Sequence, residues 1–266
     1  MSRPWIFVSP SSRGIGRHLT RYLLRTTTAP ILATSRADNT AAKQHILDSL
    51  PEAEDLAPRL KVVRVDVTDE STVEAAAEEA RALFPTDSHH LRLALAIPGI
   101  LHPEKSLAQV EYDKALETFK VNTLGQMLLM KHFCDFLPRK SVPLQNEQGL
   151  ARHAVWAAMS ARVGSTSDNR KGGWYSYRAS KAGVTSLAKS LDLWLGARSG
   201  DKAMAVAYHP GTVKTGLSEA FWSTVPKGQL FEPEYAVERM CSVLTKEVGL
   251  DGRGRCWDWQ GKEILP

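Results

Sequence analysis

Tyr177 and Lys181 stand four residues apart in YSYRASKAG, a spacing that puts both side chains on one face of a helix. A phenol beside an ammonium is a proton-transfer pair. Free tyrosine titrates at about pH 10, so a neighbouring cation, with desolvation matched to the task, is what lets it act as acid or base near neutrality. Upstream, the apolar run AVWAAM delivers Ser160, whose hydroxyl suits a substrate oxygen. Plain surface helices also carry a YxxxK pair, so the spacing alone names no reaction.

A second group lies near the N-terminus. In FVSPSSRGIG, Phe7 to Gly16, two glycines fall where a strand gives way to a helix. Glycines there let backbone N–H groups approach a pyrophosphate at the positive end of the helix. An ordinary strand-to-helix turn looks the same. Arg36, twenty residues beyond Gly16, argues for a dinucleotide. An acid at that place binds the ribose diol of NAD, whereas an arginine suits the 2′-phosphate of NADP. Ser35 and Arg36 therefore predict NADP(H), with Arg13 as a second cation. Arg17, Arg21 and Arg25 follow one helical ridge and read as a solvated face. Pro10 takes the place where such loops usually begin with glycine; it lacks an N–H and pushes Ser9 towards an extended conformation.

Positioning these groups requires strands that end together. WIFVS (5–9), ILAT (31–34), LKVVRV (60–65), LALAI (93–97), AVWAAM (154–159) and MAVAY (204–208) are short and nearly continuously apolar, as strands buried on both faces should be. Helical spacing recurs between them, as in TDESTVEAAAEEARALF, where Thr68 reads as the cap. Alternation of this kind predicts an α/β fold: one Rossmann-like domain over residues 1–266, a doubly wound parallel sheet with helices on both faces. Segments 138–152 and 161–173 are long for α/β connections. The second follows a strand end and reads as functional, and 218–233 reads as a lid.

At 266 residues and 43% hydrophobic, the chain is long enough to bury a sizeable core. The net charge of +5 comes from 34 basic residues scattered among 29 acids, which argues against a nucleic-acid partner. Three separated cysteines predict a reducing compartment and inert thiols, and dispersed histidines predict no metal site. Apolar runs fall short of the roughly 20 residues of a membrane helix, so no membrane partner is expected. Six arginines and no acid in residues 1–37 match a mitochondrial presequence in composition, but cleavage would remove the first strand and helix. A cytoplasmic protein is expected.

From end to end the chain resembles the short-chain dehydrogenase/reductase family. SRGIG, with Ser12, Arg13, Gly14, Ile15 and Gly16, resembles its cofactor loop, preceded by Ser9. The resemblance implies that Asp66 in VDVTD contacts adenine, and that Gly99 and the loop HPGTVKT (Pro210, Gly211, Val213, Thr215) border the cofactor. It also implies a catalytic tetrad of Asn122, Ser160, Tyr177 and Lys181. In that scheme Tyr177 protonates a carbonyl oxygen, Lys181 lowers the tyrosine pKa and holds the nicotinamide ribose, Ser160 polarises the carbonyl, and Asn122 holds a relay water.

SARVGSTSDNRKGGWYSYRASKAG and CWDWQGKEILP look most like the C-signal-type, carbonyl-reductase-like branch. Three departures stand out: Pro10, the run Ala96-Ile97-Pro98 in place of two amides and an alanine, and a Ser160–Tyr177 separation of seventeen. The implied function is NADP(H)-dependent oxidoreduction of a small carbonyl or alcohol compound. The rival is a non-catalytic nucleotide-binding or signalling protein that keeps the fold. Trp174, Phe221, Trp222 and Phe231 suggest an apolar or aromatic substrate, or else serve as loop anchors. A homo-oligomer is left open.

Overall fold

The computed structural model describes residues 2–266. In chain order the main elements are β1 (Arg3–Ser9), α1 (Gly14–Thr26), β2 (Ile31–Ser35), α2 (Asn39–Leu47), the single turn α3 (Ala53–Leu56), β3 (Leu60–Arg64), α4 (Glu70–Leu83) and β4 (His89–Ala96). There follow α5 (Tyr112–Phe119), α6 (Gly125–Phe133), β5 (Ala154–Met159), α7 (Tyr175–Arg198), β6 (Ala203–His209), β7 (Thr212–Val213), β8 (Leu230–Phe231), α8 (Pro233–Ser242), β9 (Cys256–Asp258) and β10 (Glu263–Ile264). Eight strands make one sheet in the order β10-β9-β6-β5-β4-β1-β2-β3, parallel except for the β9–β10 pair. The chain moves outward from β1 to β3, then returns to lay β4 on the other side of β1. At such a switch point a crevice opens beyond the carboxyl ends of the strands.

The apolar strands divide their side chains between two layers. Trp5 and Phe7 face a cluster with Val73, Phe84, Phe133 and Val184, where Phe7 stacks on Phe133 at 4.2 Å and Trp5 on Phe84 at 4.7 Å. Ile6 and Val8, one residue out of phase, face Leu19, Leu23, Ile46 and Val237. Period-two alternation inside a continuously apolar strand thus fills both faces of the sheet.

Several local readings need correction. Strand β4 starts at His89, four residues before the predicted Leu93, because His90 and Arg92 are buried despite their polarity. The Arg92 guanidinium donates to the carbonyls of Ala151 (2.9 Å) and Gln145 (3.0 Å), so it fastens the irregular segment 138–152 to the sheet. Asp69 rather than Thr68 caps α4, accepting from the Ser71 N–H, while the Thr68 hydroxyl donates to Asp66. The arginine ridge of α1 is not simply solvated. Arg17 and Arg21 donate to the carbonyls of His45, Ile46 and Asp48 and bind α1 to the end of α2; Arg25 alone of the three is exposed. Strands β9 and β10, missed in the sequence, extend the sheet past β6. No helix among the described residues is long and apolar enough to cross a membrane.

Candidate active site

Helix α1 opens at the carboxyl end of β1 with no side-chain cap and no acid in its first turn. Its leading N–H groups and positive end therefore face outward as an anion site. Gly14 has φ +52°, a left-handed conformation that favours glycine. Gly16 is demanded by a different neighbour: a Cβ there would lie 1.9 Å from the Pro10 carbonyl oxygen and 3.2 Å from Ile97 Cδ1. Pro10 and Ile97, both departures from the family pattern, thus meet at the glycine turn. Thr215 packs beside Gly14, with Cγ2 3.6 Å from the place of a Cβ, so the 209–215 loop reaches the same turn. Gly211 (φ +76°) has Phe231 and Trp259 against it, where a Cβ would stand 2.5 Å from a ring carbon.

Arg13 and Arg36 are exposed, and neither forms an ion pair among the described residues. Asp66 is half-buried; desolvation raises its pKa, but the Thr68 hydroxyl and N–H, both bonded to Oδ1, hold it below the usual carboxylate value. Arg36 and Arg64 add to that lowering, and Arg64 was not foreseen, although it pairs in register with Ser35. These positions fit a dinucleotide bearing an extra phosphate. Ser9 does not join them: it is sealed in the core, its hydroxyl accepting from Thr34 (2.8 Å) and its carbonyl from the Ile97 N–H (2.7 Å). Val213 is likewise a core residue, packed with Phe231 and Ala236.

Tyr177 and Lys181 lie buried on one face of α7, with the ammonium nitrogen 5.7 Å from the phenol ring centre. Lys181 Nζ donates to the Met159 carbonyl at 2.8 Å, at the end of β5, and no carboxylate pairs with it among the described residues. Burial pushes Lys181 down to about 7 and Tyr177 up to about 12. The phenol is therefore raised rather than lowered, because desolvation outweighs a cation beyond hydrogen-bond reach. At neutral pH Tyr177 keeps its proton.

Asn122 and Ser160 are brought to the pair, but through the backbone. Asn122 rides on a π-helical turn, Lys120–Leu124, of the kind that often marks functional sites. Its amide nitrogen donates to the Ile100 carbonyl and to Ser180 Oγ, both at 3.0 Å, and its oxygen accepts from the Ile100 N–H at 2.8 Å. It locks the turn after β4 against α7, and Gly99 in that turn would carry a Cβ 3.5 Å from Lys181 Nζ. Ser160 Oγ donates to the Lys181 carbonyl at 2.9 Å and lies 3.0 Å from Thr185 Oγ1. A serine has one proton to give. In this arrangement it goes to α7, and the hydroxyl clips the strand end to the helix. Gln126 also went unforeseen, although it lies four residues after Asn122; its amide donates to the same Met159 carbonyl as Lys181, at 3.0 Å.

The predicted aromatic wall is partly formed. Trp174 contacts the Tyr177 ring edge-on at 6.1 Å and Phe221 of the 218–233 segment at 4.9 Å. Phe231 is an anchor, buried against Trp259 and Tyr235. Trp222 ties back to Ser218 Oγ within its own segment. The 161–173 loop is fastened at its start: Arg162 pairs with Asp258 at 2.6 Å, Ser165 Oγ donates to the Leu265 carbonyl, and the Ser167 N–H to the Pro266 carbonyl at 3.1 Å.

Residues 4–225 match the family model described as short chain dehydrogenase. Over 157 residues the chain is 30% identical to 1-hydroxy-2-glutathionyl-2-methyl-3-butene dehydrogenase of Rhodococcus sp. (strain AD45), which spans 59% of this chain and 60% of that one. It is 28% identical over 159 residues to the C-signal protein of Myxococcus xanthus, covering 60% and 82% of the two chains. Its fold superposes on NADPH-bound carbonyl reductase from chicken fatty liver with a TM-score of 0.81, 22% identity and full coverage of both chains.

Proposed function

The chain belongs to the short-chain dehydrogenase/reductase family of oxidoreductases, and from that premise we propose that it is an NADP(H)-dependent carbonyl reductase or alcohol dehydrogenase. The observation that carries the reading is the buried Tyr177–Lys181 pair: a phenol protonated at neutral pH beside a lysine held without an anionic partner. Strongly shifted groups concentrate at functional sites, which favours a proton-transfer role for this pair.

The residues at the α1 turn suit the cofactor. The N–H groups of Ser12 to Gly16 would hold its diphosphate, Arg36 with Arg13 its 2′-phosphate, and Asp66 its adenine. Gly99 would border the cofactor, and Pro210, Gly211 and Thr215 its nicotinamide end. When bound, NADPH supplies the hydride. Tyr177 gives its phenolic proton to the carbonyl oxygen as the carbonyl carbon gains the hydride pair, which leaves an alcohol and a phenolate. Lys181, charged below about pH 7, stabilises that phenolate. Asn122 and Ser160 hold the surrounding backbone in register.

Trp174 and Phe221 beside Tyr177 favour a small apolar or aromatic carbonyl compound. The test is NADPH oxidation measured with a panel of aldehydes, ketones and quinones. Turnover with an aromatic or apolar member is expected. Tight NADPH binding with no turnover across the panel overturns the reductase reading in favour of a non-catalytic nucleotide-binding protein.

A further inference from the structure

An α-helix leaves its first four N–H groups without helical partners, and a Ser, Thr, Asp or Asn at the N-cap usually takes one of them. Helix α7 has no such residue. Its N-cap is Trp174, held left-handed at φ 53°, ψ 45°; the cap gives no side-chain bond, and the first turn carries no acid. Gly172 and Gly173 before it are also left-handed, at φ +62° and +66°. Three such residues in succession turn the chain sharply into the helix that bears Tyr177. Arg178 braces this turn, donating to the carbonyls of Gly173 (2.8 Å), Gly172 (3.0 Å) and Val163 (3.1 Å).

The missing cap arrives from another part of the chain. Glu104, in the connection after β4, is 3% exposed. One carboxylate oxygen accepts from the Ser176 N–H at 2.9 Å and the other from the Ser176 hydroxyl at 2.5 Å, while the Glu104 backbone carbonyl accepts from the Trp174 N–H at 2.6 Å. Its own loop is closed by Gln109, which accepts from the N–H groups of Lys105 (2.7 Å) and Ser106 (3.2 Å). No cation pairs with the carboxylate among the described residues; amide, hydroxyl and positive helix end balance it. Ser176 is the residue immediately before Tyr177.

We propose that Glu104 is a positioning residue: its carboxylate fixes the first turn of α7 from outside the helix and so sets where the Tyr177 hydroxyl stands. The proposal rests on the reading of Tyr177 as proton donor. Displacements of about 1 Å in a reacting group cost rate far more than they cost affinity.

The test compares Glu104→Ala and Glu104→Gln with the unmutated protein by amide hydrogen exchange of the peptide over 174–181, NADPH affinity, and turnover of the best carbonyl compound of the panel. Glutamine keeps an acceptor for the Ser176 N–H, and its amide can donate to the hydroxyl. Glu104→Ala is expected to speed exchange of the first turn at least tenfold and to lower kcat at least tenfold, with NADPH affinity and KM within threefold. Glu104→Gln should stay within threefold of the unmutated protein in every readout. Unchanged exchange in Glu104→Ala overturns the proposal, as does faster exchange with undiminished kcat, or a glutamine variant as damaged as the alanine one. If the unmutated protein turns over nothing, the reductase reading fails alone, and the exchange comparison still decides whether Glu104 fixes the turn.

Discussion

Replacing Lys181 by methionine should make the protein without cofactor more stable while destroying its turnover. The lysine is buried without a carboxylate partner, and burial takes its pKa from the ordinary 10.5 to about 7 in the folded chain. Between those values the unfolded chain keeps a proton that the folded chain has lost, so this group's penalty eases as pH rises through the window and is complete below about 7. At about 1.4 kcal/mol per pH unit, and with the folded-state lysine half charged at pH 7, the penalty is about 4 kcal/mol at pH 7 and about 2 kcal/mol at pH 9. Methionine keeps most of the volume and carries no charge. The Met159 carbonyl keeps a partner in the Gln126 amide, so no buried acceptor is stranded. Differences in packing are independent of pH, and Tyr177, pushed up to about 12, stays protonated throughout this range in both proteins. The stability advantage of Lys181→Met should therefore shrink by about 2 kcal/mol from pH 7 to pH 9, about 4–8 °C in Tm for a chain of this size. Matched urea or thermal melts of the two cofactor-free proteins at both pH values give the comparison. An advantage that is flat with pH, or grows with it, refutes the premise that the folded protein carries a destabilised ammonium.

Other substitutions bear on the remaining assignments. Tyr177→Phe should lower turnover at least about a hundredfold with NADPH still bound, whereas Tyr175→Phe, on the exposed side of the helix, should be close to neutral in the same assay. Arg36→Leu should erase a preference for NADPH over NADH of about 1.5–3 kcal/mol, roughly ten- to a hundredfold in affinity, measured by fluorescence titration; equal affinities before mutation would exclude the pairing. Gly16→Ala drives a methyl into the Pro10 carbonyl and should abolish NADPH binding or lower Tm by several degrees, while Pro10→Gly should change the NADPH Kd by no more than about tenfold. Turnover in the reductive direction should be level below about pH 7 and decline above it, because Lys181 loses its charge there; a profile that falls towards acid would assign the titration to another group.

The parallel sheet was legible because its strands are apolar runs bounded by turns, and β5 matches its predicted run, Ala154–Met159, to the residue. Strand β4 was shortened in the reading by His90 and Arg92, since buried polarity satisfied by distant carbonyls leaves no mark in a pattern of hydrophobicity. Strands β9 and β10 escaped because three and two residues are too few to show a period. At the site, Tyr177 and Lys181 were visible through helical spacing, which is a local property. The donor direction of Ser160 was not, because it depends on the height at which α7 passes β5. Glu104 was hidden for the same reason: its partner is seventy-two residues away, and a lone glutamate in an irregular loop has no local signature.

The bonds from Ser165 and Ser167 to the carbonyls of Leu265 and Pro266, with the Arg162–Asp258 pair, have a consequence for biosynthesis. The loop that leads into the Tyr177 helix is closed in part by Leu265, which leaves the ribosome 100 positions after its partner Ser165. A nascent chain that has paired β1 to β6 still lacks those bonds, so it has most of its sheet before its catalytic surroundings are anchored. Stalling within residues 250–260 should accordingly leave the 161–173 loop open to cleavage.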